Sequence, residues 1–409
     1  MMSWLRGSKA ESAGTKQEQP ILARLVNVDG WLLGTVLLIM GLGLVMVFSA
    51  SSARAAHDLG NPYYYLVRQS IYLVLSLAAM YVGMRVPARV WMERGPILLW
   101  ISIGLLLLVL IPGIGMTVNA SRRWINLVLL RFQPSEFFKF GLLVFMAGYV
   151  LRKGAALESF RQGLLPVVAI LAISGFLLLL EPDMGAFVVA VVIAGGILFL
   201  GGLPMRFVLG GGLVVLVLFA LLAIIEPYRL ARLTAYRDPW AHPFDSGFQL
   251  IQSLIAFGRG GVFGVGLGEG VQKMFYLPEA HTDFILAVIG EELGLVGVLT
   301  VLLLFVLAAL RMFFIARRAE AQDRRFEALL CYGVLIWFSM QALASIGVNL
   351  GTLPTKGLTL PLMSYGGSSL LFMALAIGVV LGVSATLQPA EKPAPVGLDY
   401  PDQYARRET

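Results

Sequence analysis

Residues 284–310 read FILAVIGEELGLVGVLTVLLLFVLAAL, and this stretch decides the class of fold. It holds two charged residues, Glu291 and Glu292, in a run longer than the roughly 20 apolar residues that a membrane-spanning helix needs. The rest of the chain has the same character, because 58% of its 409 residues are hydrophobic and 13% are charged. Soluble domains carry about 25% charged residues. The sequence therefore predicts an all-α polytopic membrane protein and excludes a soluble enzyme, a disordered chain and a nucleic-acid binder.

Further apolar windows recur along the chain and predict about ten transmembrane helices. The windows lie at 30–50, 66–85, 97–116, 135–151, 164–180, 185–202, 207–226, 284–310, 328–348 and 368–387. They divide the chain into an N-terminal tail (1–29), a membrane domain (30–387) and a C-terminal tail (388–409). The longest loop is 227–283, between the seventh and eighth windows.

The basic residues predict the orientation of these spans. With the N-terminus in the cytoplasm, 19 of the 31 Lys and Arg residues fall in cytoplasmic tails and loops, as the positive-inside rule requires. An even number of spans then places both termini in the cytoplasm. Most other basic residues lie in or beside two outside segments, 117–139 and 227–283. Because they run against the orienting bias, they indicate an anionic ligand at the outer membrane surface.

The aromatic content of the 227–283 loop predicts a segment packed on the membrane face, with an interfacial helix at 249–257.

Several kinds of site are absent from the sequence. One cysteine and three histidines leave little for a Cys- or His-based metal centre, and no pattern demands a divalent cation such as Mg or Mn, although one could assist. There is no P-loop motif. The glycine-rich run 258–270 lacks the spacing of a dinucleotide site, which favours a turn or a flexible loop.

Three polar clusters on the predicted outer side could carry chemistry. The first contains Arg122, Arg123 and Trp124, followed by Glu136 and Lys139. Glu136 and Lys139 are three residues apart on a predicted helix, so they share one face. They are either a structural ion pair or a pair that lines a cavity, where buried charge is costly and rarely without a role.

The second cluster, 276–284, joins the long loop to the eighth window. Asp283 would lie at the N-terminus of that helix, where it could either cap the helix or act as a carboxylate base oriented with the help of His281. Two turns deeper, Glu291 and Glu292 are unusual in a span, and we expect one or both of them to pair across helices rather than react.

The third cluster is 353–369, which reads LPTKGLTLPLMSYGGSS. Its prolines and glycines predict a non-helical re-entrant loop, which membranes tolerate only where the backbone is buried in protein or lines a cavity. Lys356 is its only charge and suits an anion such as phosphate. We also assign Ser364 to substrate binding.

These motifs resemble a known family. LPEAHTDFILAVIGEELG (277–294), LPTKGLTLPLMSYGGSS (353–369) and RRWI…FQPSEFFK (122–139) are similar to the SEDS family of bacterial cell-wall glycosyltransferases. The resemblance covers roughly residues 30–385, and the Thr355-Lys356-Gly357 form is similar to the cell-division member of the family rather than the elongation member. It implies a GT-C-like helical fold in the bacterial inner membrane, at the division septum.

The resemblance also implies an activity and partners. It implies polymerisation of lipid II into glycan strands at the outer membrane face, with a class B penicillin-binding protein as partner among other divisome membrane proteins. Asp283 matches the essential loop aspartate of the family, and Trp124, Glu136 and Lys356 match other important positions.

A base mechanism fits the residues present. Asp283 would deprotonate an acceptor hydroxyl, while Arg122, Arg123, Lys139 and Lys356 would stabilise the diphosphate of the undecaprenyl-linked donor. Two other readings stay open: a flippase for lipid II, and a non-catalytic scaffold of the divisome.

Overall fold

A computed structural model of the chain describes residues 28–118, 121–127, 130–225, 236–245, 247–354 and 357–388. Within these residues lie eleven α-helices and one three-stranded sheet. The helices are α1 (Gly30–Leu59), α2 (Tyr64–Arg85), α3 (Ala88–Leu110), α4 (Pro134–Lys153), α5 (Leu165–Leu180), α6 (Met184–Leu200), α7 (Met205–Ile225), α8 (Phe248–Gly260), α9 (Ile285–Ala321), α10 (Arg325–Asn349) and α11 (Gly367–Thr386). The strands are β1 (Gly115–Val118), β2 (Ser121–Leu127) and β3 (Leu130–Phe132).

Every predicted window overlaps one of these helices, which confirms the polytopic helical architecture. By length and composition, eight helices of the described chain could each cross a membrane: α1 to α5 and α9 to α11. The apolar parts of α6 and α7 are shorter, so the count of ten spans stays a prediction. The tails 1–27 and 389–409 lie outside the described residues.

The helices pack closely where small residues face each other. A Cβ atom on Gly83 of α2 would lie 2.4 Å from the carbonyl oxygen of Leu375 in α11. On the opposite side of the contact, a Cβ on Gly378 would lie 2.1 Å from the carbonyl oxygen of Met80. Helices in membranes associate through such close backbone contacts, because lipid offers no hydrophobic driving force between them.

The small sheet was not expected from the sequence. The third window was predicted to continue to residue 116, but α3 begins earlier, contains Pro96 and ends at Leu110. The chain then forms an antiparallel sheet in which Met116 pairs with Trp124 and Ile125 pairs with Phe132. Gly113 has a φ of 92°, a left-handed backbone that a helix cannot continue through.

Helix α9 is the longest element of the described chain and has a kink at Gly294 (φ 66°, ψ −163°). A Cβ on Gly294 would lie 2.3 Å from the backbone nitrogen of Gly264, so the glycine-rich segment crosses α9 at this kink. Val265 and Gly266 donate backbone hydrogen bonds to the carbonyls of Glu291 and Glu292, at 3.0 and 3.1 Å. Residues 261–270 form turns, as predicted, and pack on α9, whereas 258–260 are the last residues of the helix at 248–260.

The long loop contains a helix where the sequence predicted one, and its position at the membrane interface stays a prediction. The prediction gave 249–257, and α8 covers Phe248–Gly260. Its buried side includes Leu250, Ile251 and Ala256. Within the loop, residues 226–235 and 246 lie outside the described residues.

Glu291 and Glu292 are completely buried and both are paired: Glu291 pairs with a residue of another helix, as predicted, whereas the partner of Glu292 lies in the segment before α9. Lys273 Nζ lies 2.6 Å from Glu292 Oε1 and donates to the Gly268 carbonyl at 2.7 Å. Ser49 of α1 also donates to Glu292, at 2.7 Å. Glu291 lies 3.3 Å from the guanidinium of Arg259 at the end of α8. These contacts fasten the segment 259–273 onto α9 and α1.

Lys273→Met should destabilise the protein strongly. Removing one partner of a buried ion pair costs about 3–5 kcal/mol, because the other charge stays buried without compensation. We expect a lower midpoint of thermal unfolding in detergent, with partial recovery in Lys273→Met/Glu292→Gln. Arg89→Met, which breaks the exposed pair with Glu93, is the control and should leave the midpoint unchanged. An unchanged midpoint in Lys273→Met would contradict the stabilising role of this ion pair.

Candidate functional site

Asp283 lies in a tight turn just before α9. Its backbone N–H donates to the carbonyl of Glu279 at 3.0 Å, and the hydroxyl of Thr282 donates to the Glu279 carboxylate at 2.9 Å. The helix begins at Ile285 with Phe284 as its N-cap. Asp283 therefore lies one residue before the capping position that the sequence analysis considered for it.

The carboxylate of Asp283 faces the loop that precedes α11. A Cβ atom on Gly357 would lie 3.1 Å from Asp283 Oδ2, so glycine leaves this carboxylate room on that side. The two segments are also joined through their backbones, because Tyr365 N donates to the His281 carbonyl at 3.0 Å. Lys356, the predicted anion-binding residue of this loop, lies outside the described residues.

Ser364 stabilises the fold of the same loop. It is 3% exposed, and its hydroxyl accepts a hydrogen bond from Leu360 N at 2.9 Å. Its assignment to substrate binding stays a prediction, while the contact seen here is with the protein backbone.

Glu136 and Lys139 form the ion pair that their spacing predicted. Lys139 Nζ lies 2.8 Å from Glu136, and both side chains are buried in α4. The ammonium also donates to Gln341 Oε1 at 3.2 Å and lies 5.2 Å from the ring centre of Trp337. The pair is thus surrounded by polar and aromatic groups of α10.

Gln341 connects this ion pair to the loop opposite Asp283. Its amide nitrogen donates to the carbonyl of Thr359 and to the hydroxyl of Ser369, both at 3.2 Å. Sequence reasoning missed Gln341, and the only signal was an amide in an otherwise apolar span. One buried amide therefore joins α4, α10 and the loop of residues 357–366.

The sheet carries the first three residues of the first polar cluster, Arg122, Arg123 and Trp124. Arg122 donates to the carbonyl of Leu110 at 3.2 Å, which satisfies the end of α3. The pairing of β2 with β1 is irregular here, because Trp124 pairs with Met116 and Arg122 pairs with the next residue, Thr117, so that Arg123 has no partner residue in β1. Arg122, Arg123 and Trp124 thus belong to a structured surface beside α3.

Glu181 is a buried carboxyl that sequence reasoning did not single out. It follows α5 in the break that separates α5 from α6, and it is 0% exposed. Burial raises its pKa to about 9; Asp183 raises the pKa further, and Arg123 opposes the shift. Asp183 accepts hydrogen bonds from Ser135 at 2.8 Å and from Gln133 at 3.0 Å. This break is therefore a polar junction between the sheet, α4 and α6.

His281 lies in an aromatic environment two residues before Asp283. Its ring centre is 4.5 Å from that of Tyr65 and 5.4 Å from that of Tyr365. Burial lowers its pKa to about 4; Glu279 opposes this shift and Arg54 adds to it, so the imidazole is neutral at pH 7.

A cavity of about 240 Å³ lies between the end of α1 and the segment that carries His281, with Arg54 and His281 in its walls.

No group of three or more His, Cys, Asp and Glu side chains in the described residues could hold a metal ion. An assisting divalent cation stays a prediction. The arrangement as a whole brings Asp283, His281 and the 357–366 loop together, and Gln341 joins Glu136 and Lys139 to that loop.

Two relatives are each described as a probable peptidoglycan glycosyltransferase FtsW. The relative from Nitrosomonas europaea is 48% identical over 374 residues, which cover 91% of this chain and 96% of the relative. The relative from Coxiella burnetii is 49% identical over 362 residues, which cover 88% of this chain and 96% of the relative.

Solved structures agree with these relatives. A chain from a structure described as "Structural coordination of polymerization and crosslinking by a peptidoglycan synthase complex" superposes with a TM-score of 0.69 at 32% identity, covering 87% of this chain and 97% of that one. The rod shape determining protein RodA of Thermus thermophilus gives a TM-score of 0.64 at 30% identity, covering 87% of this chain and 96% of RodA.

The fold and the site define a polytopic helical membrane protein with a carboxylate placed before one helix and opposite a non-helical loop. A family model described as cell cycle protein, of the FtsW, RodA and SpoVE type, matches residues 30–388. The chain belongs to this family, the SEDS family, as its motifs predicted.

His281→Gln should change how stability depends on pH. The folded protein holds the pKa of His281 at about 4, below its ordinary value of 6.5. As the pH falls from 6.5 to 4, the unfolded chain binds a proton that the folded protein does not, so the free energy of unfolding decreases. We expect His281→Gln to reduce this loss in thermal unfolding measured across the range. His57→Gln, at an exposed ring, is the control. If the stability of wild type and of His281→Gln depended on pH in the same way, the lowered pKa of His281 would be contradicted.

Proposed function

We propose that the chain is a peptidoglycan glycosyltransferase that polymerises lipid II into β-1,4-linked glycan strands during septal cell-wall synthesis. The relatives' descriptions support the reaction class. The observation that carries the proposal is the carboxylate of Asp283, opposite Gly357 in the loop before α11. A carboxylate at such a place suits a general base.

The proposed reaction needs one base and a good leaving group. Asp283 removes the proton from the 4-hydroxyl of the acceptor sugar as that oxygen attacks the anomeric carbon of the growing chain. The bond from that carbon to the lipid diphosphate breaks, and the diphosphate leaves with the electron pair. Configuration at the carbon inverts from α to β. The diphosphate needs no carboxylic acid to protonate it, unlike the leaving group of a glycosidase. General-base catalysis contributes roughly 10²–10⁴-fold.

The charges near the site divide into two groups in this proposal. Lys139 is paired with Glu136 and binds Gln341, so it supports the neighbouring loop rather than binding the diphosphate directly. Arg123 and Lys356 are better candidates for the diphosphate, and the cavity beside Arg54 and His281 suits a sugar of the substrate, with its mixed polar and apolar walls. Mg or Mn could share the diphosphate, but no step depends on it.

The location follows from the same proposal. The end of the bundle with Asp283 would face the outside of the inner membrane at the division septum, and both termini would lie in the cytoplasm. The distribution of basic residues supports this orientation. Membrane lipid surrounds the bundle, and a class B penicillin-binding protein with other divisome proteins would accompany it.

Asp283→Asn tests the proposed function. We expect purified wild-type protein, with its transpeptidase partner present, to form glycan strands from lipid II in detergent. Asp283→Asn should lower the rate by at least about 10²-fold, because an amide cannot accept the proton. Glu269→Gln makes the same charge change at an exposed carboxylate of the same segment and should stay active.

Two outcomes would contradict the proposal. Equal polymer from wild type and Asp283→Asn would remove Asp283 as the base. No polymer from the wild-type complex would remove the polymerase function, and transport of lipid II across vesicles would then be measured.

Gly357→Ala tests the geometry at the carboxylate. The added methyl would lie 3.1 Å from Asp283 Oδ2, tight enough to displace the carboxylate. We expect at least a tenfold loss of polymerisation with an unchanged thermal midpoint. Gly366→Ala in the same loop is the matched control, because its methyl would meet Thr359 at an ordinary 3.5 Å. Equal rates for the two variants would argue against close contact between Gly357 and Asp283.

A further inference from the structure

Asn349, the last residue of α10, joins that helix to the turn that carries Asp283. Its side chain is 0% exposed. Nδ2 donates to the carbonyl oxygen of Asp283 at 2.8 Å and to that of Ser345 at 2.8 Å. Oδ1 accepts from the backbone N–H of Ala287 at 3.1 Å. One amide therefore holds both ends of the segment 283–287.

The neighbours of this amide determine its orientation. Two carbonyl oxygens require the NH₂ group on one side, and an N–H requires the oxygen on the other. In the first turn of α9, the N–H of Ala287 also donates to the Phe284 carbonyl at 3.1 Å, while Phe284 at the N-cap supplies no side-chain acceptor. Asn349 thus assists the start of α9 from a different helix.

We propose that Asn349 is a positioning residue for the reaction, which sets the backbone of Asp283 and thereby the place of its carboxylate. This rests on the proposed function of Asp283 as the base. The local turn fixes the N–H of Asp283 through Glu279, and Asn349 fixes its carbonyl. With both backbone groups held, the carboxylate is held opposite Gly357.

The expected consequence is a loss of rate rather than of substrate binding. A displacement of about 1 Å at a reacting group can cost about 10²-fold in rate. Asn349 contacts the protein backbone on the side of α9 and α10. Its loss should therefore lower kcat while leaving the half-saturating concentration of lipid II nearly unchanged.

Asn349→Leu is the principal variant, because leucine has a similar size and shape but forms no hydrogen bonds. We expect a 10- to 100-fold lower kcat in polymerisation, with less than threefold change in half-saturation. Ser253→Ala is the matched control. The buried hydroxyl of Ser253 donates to the backbone oxygen of the same Asn349 at 2.8 Å, so this variant removes a nearby buried hydrogen bond without touching the amide. It should keep wild-type kcat.

Amide hydrogen exchange gives a readout that does not depend on catalysis. Segment 279–290 should exchange faster in Asn349→Leu than in wild type, and Ser253→Ala should not change it. If Asn349→Leu does not fold, Asn349→Ser takes its place, since a serine hydroxyl is too short to reach the Asp283 carbonyl.

Each outcome decides the proposal. Unchanged kcat, or unchanged exchange of 279–290, in a folded Asn349 variant would overturn it. A change in half-saturation alone would also overturn it, because that is the signature of a binding role. If wild type makes no polymer, the proposed function fails, and the exchange experiment alone decides whether Asn349 holds the turn.

Discussion

Two adjacent carboxylates, Glu291 and Glu292, impose the strongest constraint on this structure. A charge buried in a helix bundle must be paired, because desolvation costs several kcal/mol per ion. Lys273 and Arg259 supply the opposite charges from the segment before α9. The segment 259–273 is therefore held against the first part of α9, up to its kink. This contact also fixes the position of the turn at Asp283, from which the chain enters α9.

Helix α10 gives the site its second support. Gln341 binds the ammonium of Lys139 and the backbone of the loop at Thr359, and Asn349 binds the backbone of Asp283. Both residues are amides, which can donate and accept at once without the desolvation cost of a charge. Asp283 and the loop that faces it are thus both held by α10, although they are far apart in sequence.

Local patterns were sufficient to predict the helices and some contacts. Glu136 and Lys139 are neighbours on one helix face, so their pairing follows from their spacing alone. The sheet of residues 115–132 was missed because an apolar window predicted a helix as far as residue 116. Gln341 and Asn349 were missed for another reason. Their partners lie up to 202 residues away, and no local periodicity reports such a contact.

The pairing of charges also restricts how the site can treat an anion. Lys139 and Lys273 are each committed to a carboxylate, and Arg122 is engaged with the end of α3. Cations with such partners stabilise the fold, and little of their positive charge is left to attract an anionic ligand. In the proposed reaction, the diphosphate would therefore be bound by basic side chains nearer the surface, which stay hydrated until the substrate binds. In that reaction, the lipid-linked diphosphate would remain at the membrane surface as it leaves, while Asp283 stays in a turn that the protein holds from both sides.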